Sequence, residues 1–117
     1  LLKPIRDDLI YNQTELRNLN NNIASKYKKI KELEQQIYNL NINLKKYNEI
    51  KVKNSDRQIK SWAEKNIKLT QRQIQKLERD KKEKESELSV LNKNKEETNK
   101  KINENLNKMI QILLKKI

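Results

Sequence analysis

The chain has no glycine, cysteine, histidine or phenylalanine, and its single proline is Pro4. Without glycine, the tight hairpin turns and bulges that close small sheets lack the residue their positive φ angles favour. Without cysteine, no disulfide framework can staple a small secreted scaffold. Sheet-based folds are therefore largely excluded. The absence of His and Cys also removes the usual zinc ligands and the base or nucleophile of Ser-His-Asp and Cys-His sites. A glycine-rich phosphate loop is ruled out as well, so the chain is not expected to be an enzyme and no cofactor or metal is expected. Apolar residues occupy 33% of the 117 positions and charged residues 38%, too thin an apolar supply for an ordinary globular core. No run of 18 apolar residues reads as a membrane span, and Leu1-Leu2-Lys3-Pro4 does not read as a signal peptide.

What is abundant is positive charge: 28 Lys plus Arg against 16 Asp plus Glu, a formal +12. Such a surplus favours acidic partners, whether nucleic acid, anionic membrane or acidic protein. The cations are 23 Lys and only 5 Arg, accompanied by 17 Asn and 14 Ile. Base readers favour the bidentate Arg fork, so this composition fits an AT-rich coding sequence better than phosphate recognition.

Periodicity organises the rest. Leu2, Leu9, Leu16, Ile23, Ile30, Ile37 and Leu44 recur every seven residues, and Ile5, Leu19, Leu33, Leu40 and Tyr47 fill the positions three further on. That is the a/d seam of a coiled coil. Pro4, tolerated in a first turn, and Asp7 and Asp8 against the positive helix end place the start near residue 4. In the second half, Ile67, Ile74, Leu88, Ile102 and Met109 form one series and Ala63, Leu77, Leu91 and Ile112 its companion, two residues out of phase with the first. The slip falls where Ser55-Asp56-Arg57-Gln58 reads as a capping box, with Asn54 suited to a left-handed helix end.

These features predict an all-α fold in one coiled-coil unit over 1–117: helix 4–52, turn 53–55, helix 56–117, folded as a long antiparallel two-helix hairpin. Residues facing each other across such a hairpin have numbers that add to a constant. A constant of 107 pairs Leu40 with Ile67, Leu33 with Ile74, Leu19 with Leu88 and Leu16 with Leu91, and sets Lys26 against Lys81 and Asn12 against Lys95. The alternative is one continuous helix in a parallel dimer, the slip being a tolerated discontinuity. A thin hairpin with Lys in its seam also invites pairing into a four-helix bundle.

Three surface features could carry function. At the tip, residues 45–68 hold eight Lys or Arg against three acids, with Ile50, Ile59 and the only tryptophan, Trp62, off the seam. Lys51, Lys53, Arg57, Ile59, Lys60 and Trp62 are the candidate docking residues, because apolar anchors supply buried energy and charge steers encounter. The alternative is that Trp62 folds over the turn. In the C-terminal segment, Leu106, Met109, Ile110, Ile112, Leu113, Leu114 and Ile117 run past the first helix at a constant of 107. Uncovered, they would meet a partner, a homodimer mate or, peripherally, a membrane. The third feature is the scattered surface set Tyr38, Ile42, Leu69 and Val90.

Ser55-Asp56 followed by Ile59, Trp62, Asn66, Lys68 and Leu69 resembles the start of the second hairpin helix in the tryptophan-rich basic protein family, membrane receptors for tail-anchored protein insertion. The resemblance spans about fifteen residues. It implies a cytosolic basic hairpin between membrane segments whose tip docks an acidic targeting ATPase. The residues themselves point to a non-catalytic interaction or spacer arm for an acidic or helical protein partner. A nucleic-acid-binding arm and a secreted effector that pairs with helical host proteins are the other readings.

Overall fold

The two heptad runs become two helices. In the computed structural model, which describes residues 2–116, α1 spans Leu2–Lys53 and α2 spans Arg57–Lys115, with no strand among the described residues. The helices pack against each other as an all-α hairpin. Their interiors contain no glycine, and Pro4 falls in the first turn of α1, where amides have no intrahelical acceptor to lose. Because α1 starts at Leu2, Asp7 and Asp8 lie beyond a first turn that holds no acid. The expected dipole pairing is thus displaced from the positions where it acts most strongly.

The turn occupies 54–56, one residue later than expected. Asp56, not Ser55, caps α2: its Oδ1 accepts from the Gln58 amide at 2.8 Å and its carbonyl accepts from the Lys60 amide at 3.0 Å. Asp and Ser are equivalent caps, and a carboxylate additionally gains from the positive helix end. The Ser55–Gln58 box is therefore not the cap. Asn54 does not take a left-handed conformation either, since no described residue has positive φ. Its backbone amide (3.2 Å) and its Nδ2 (2.9 Å) both donate to the Ile50 carbonyl, satisfying that helix-end acceptor directly.

Contacts fall into two units, Leu1–Tyr27 with Ser86–Ile117, and Lys28–Glu85. In the Lys28–Glu85 unit, Ile30, Leu33, Ala63, Ile67, Thr70 and Ile74 are buried, all of them on the a/d seam. Lys81 Nζ lies 3.3 Å from Glu34 Oε1, and Lys51 Nζ lies 3.3 Å from Glu64 Oε1. In the other unit, Leu19, Ile23, Leu88 and Asn105 are buried. There Lys26 Nζ donates to Glu87 Oε2. Oriented to suit its neighbours, the Asn105 amide accepts from Asn12 Nδ2 (3.0 Å) and the Leu9 amide (3.2 Å) and donates to the Lys101 carbonyl (3.3 Å).

These partners correct the register. Their residue numbers add to between 113 and 117, a constant near 114, one heptad above 107. The aromatic pair Tyr47 and Trp62, close to the turn, is spanned by two long rings and adds to 109. Lys26 and Lys81 each find a carboxylate inside their own unit instead of an opposing lysine. At the corrected constant Lys26 lies level with Leu88 and Lys81 level with Leu33. Each lysine stem then covers an apolar seam residue while its ammonium reaches a carboxylate outside the seam.

Candidate interaction surfaces

The tip residues separate by role. Lys51 is half-buried and tied to Glu64, so its charge is neutralised within the fold. Lys53, Arg57 and Lys60 are exposed. Ile59 is 38% exposed and Trp62 52%, because both lie off the a/d seam of α2. The Trp62 ring meets Tyr47 of α1 edge-on, with centroids 5.6 Å apart and planes at 76°, an arrangement aromatic quadrupoles favour. Tyr47 therefore buttresses one side of the indole while much of it faces solvent. Leu69 is seven residues beyond Trp62 and exposed, so it shares the same helical face. Asn66 lies between them and its Nδ2 donates to the Trp62 carbonyl at 2.9 Å. Ile59, Trp62, Asn66 and Leu69 form a short outward stripe with three- and four-residue spacing, the spacing a second helix reads.

Leu69 belongs both to the scattered surface set and to the Ile59, Trp62, Asn66 run, and the structure places it on the Trp62 face; Tyr47 is a half-buried seam residue that also meets the Trp62 ring. Labelling every residue by heptad position recovers the Leu69 placement; the ring contact needs the packed structure. Tyr38 and Ile42, four residues apart on one face of α1, are exposed, as are Val52 and Val90.

The C-terminal segment is not uncovered as a whole. Met109 and Ile112 are half-buried, level with Ile5 and Leu2, which are half-buried in turn. The shift of one heptad brings them back within reach of α1, which corrects the expectation drawn from 107. Leu106, Ile110, Leu113 and Leu114 are exposed on another face of α2, and Ile117 lies outside the described residues. Ile10, also exposed, was not singled out from the sequence, although its position immediately after a seam leucine marks it as outward.

Among the described residues no group of His, Cys, Asp or Glu side chains is arranged to hold a metal ion, and no described helix is long and apolar enough to cross a membrane. Comparison of the chain with protein-family models, with curated proteins and with solved structures finds no match.

Proposed function

We propose that the protein is a non-catalytic coiled-coil arm that docks an acidic protein partner through the outward face of α2 beside its turn. The observation that carries this reading is Trp62: about half of a large apolar side chain stands in solvent, supported from one side by Tyr47. An indole propped in this way loses little freedom on binding and offers a large apolar area, the profile of an interface anchor. Lys65 follows it at three residues on the same side of α2, and Lys53, Arg57, Lys60 and Lys68 make the segment as a whole positive, which steers an acidic surface toward the anchor and raises the association rate more than the final affinity.

Trp62 is the only tryptophan, so its emission reports contact directly. Partner capture by the full chain from its source-cell extract is expected to fall with Trp62→Ala by about 2 kcal/mol or more, with helicity unchanged. Exchanging Lys53, Arg57 and Lys60 for Gln should mainly slow association and flatten its salt dependence. A large drop in Tm with capture intact would make the indole a turn-closing residue and end the proposal. Capture of nucleic acid with a steep salt dependence that Trp62→Ala leaves alone would replace the acidic protein by a phosphate backbone.

A further inference from the structure

Away from the turn, the unit formed by Leu1–Tyr27 and Ser86–Ile117 carries a different surface. In an antiparallel helix pair, the e positions of both helices flank one side of the seam and the g positions flank the other. With Leu2 of α1 and Ile102 of α2 at a, the g side of this unit holds Asp8 and Glu15 on α1 and Lys101 and Lys108 on α2. At a constant near 114, Asp8 comes about level with Lys108 and Glu15 with Lys101, so acids and bases on that side complement each other within the hairpin.

The other side is not complemented. From residue 3 to 13, positions b and e of α1 hold Lys3, Arg6, Ile10 and Gln13; those of α2 at about the same levels hold Asn103, Leu106, Ile110 and Leu113. No acid occurs among these eight, and the next b position of α2 toward the turn is Glu96, level with Asn18. Leu106, Ile110 and Leu113 are 41%, 53% and 47% exposed and Ile10 is 54% exposed. The three α2 residues repeat at four and three, an a/d stripe additional to the seam stripe of Ile102, Met109 and Ile112. One helix therefore presents two seams, of which α1 covers only one.

We infer that this second stripe takes an amphipathic helix with acidic flanks, which lies along the e side of the hairpin and closes a local three-helix bundle. The spacing selects the occupant's form, because a stripe of threes and fours on a straight helix is complementary to another helix. The charge selects its chemistry. Lys3 and Arg6 are level with the apolar residues on the α1 side, where the flanking carboxylates of such a helix would meet them. A second copy of the chain is less suited, because the b and e positions of this face between residues 101 and 113 and between 3 and 13 offer those cations no carboxylate. The surface is distinct from the Trp62 face, and the inference does not depend on the function proposed for that face.

The experiment uses the full chain and two synthetic helical peptides of about 21 residues with Leu and Ile at a and d, one with Glu and one with Lys at e and g. The Glu peptide is expected to bind, with the Lys peptide at least about ten-fold weaker. Ile110→Gln should weaken the Glu peptide by about ten-fold, while Trp62→Ala leaves it unchanged. Lys3→Glu with Arg6→Glu alters exposed charges only, so helicity by circular dichroism should be retained while the preference reverses to the Lys peptide. Equal binding of the two peptides, binding of neither, or indifference to both sets of substitutions would overturn the inference. Binding only to vesicles containing phosphatidylserine would assign the face to a lipid surface. Concentration-dependent dimerisation abolished by Ile110→Gln would assign it to a second copy.

Discussion

In the unit formed by Lys28–Glu85 the seam closes around Ala63, which has no exposed surface, with Leu33 and Thr70 nearly as buried. In the unit formed by Leu1–Tyr27 and Ser86–Ile117 it closes around an amide, Asn105, held by Asn12 and the Leu9 N–H. In the first, the small Ala63 side chain is wholly covered by its neighbours. The second ties one level of α1 to one level of α2, because a buried amide out of register loses its partners. The outward faces of the two units differ in parallel: one carries the exposed Trp62 on a lysine-rich segment, the other is aliphatic and level with Lys3 and Arg6.

The strongest way to break this comparison is covalent. The natural chain has no cysteine, so paired cysteines report register cleanly. Leu16→Cys with Thr98→Cys, which face each other at a constant of 114, should form an intramolecular disulfide under mild oxidation. Leu16→Cys with Leu91→Cys, the pair expected at a constant of 107, should not, because Leu91 is about seven residues or 10 Å along the axis from that level. The opposite pattern of cross-linking would restore the lower register.

Next in size is the seam itself. Leu33→Ala in the Ala63-centred unit should cost about 2 to 5 kcal/mol in urea unfolding, the range for emptying a packed leucine site. Leu106→Ala, on the exposed face of the other unit, should stay within about 0.5 kcal/mol. Equal costs would mean that Leu106 is already covered in the free protein.

The amide layer should behave differently from either. Asn105→Leu removes a polar group from the seam and is expected to raise stability by about 1 kcal/mol while relaxing register, so that the Leu16→Cys, Leu91→Cys pair begins to cross-link. A loss of stability with register unchanged would show that Asn105 contributes binding energy and no specificity.

The smallest effects belong to the ion pairs. Double-mutant cycles on Lys26 with Glu87, and on Lys51 with Glu64, should give couplings of about 0.2 to 1 kcal/mol that shrink at high salt. The Lys26 pair should be the larger, since its side chains are 31% and 38% exposed against 44% and 53% for the Lys51 pair. The reverse order would mean that burial does not rank these contacts.

Much of the hairpin is legible in the residues. The a/d series from Leu2 to Leu44 and from Ala63 to Ile112, the slip between them, and a cap within Ser55-Asp56 require helix, break and helix. Trp62 and Ile59 are visibly off the seam in the sequence, and both are partly exposed. Sequence reading failed where two choices were locally equivalent. Ser55 and Asp56 are both good caps, and only the position of Arg57 as the first helical residue selects Asp56. Lys51 looked like a tip cation because its reach to Glu64 across the hairpin depends on a register that the pattern leaves open.

The sequence by itself determined that two amphipathic helices form, where they part, and which stripe of each is apolar, because those properties follow from local spacing and from the absence of glycine within either helix. Only the tertiary structure decided the register, and with it which lysines are engaged and that Met109 and Ile112 are covered by α1. The physical reason is that a heptad pattern is unchanged by a shift of seven residues. Apolar matching alone favoured 107; the reach of lysine stems over apolar neighbours to Glu34, Glu64 and Glu87, together with the Asn12–Asn105 amide layer, selects 114.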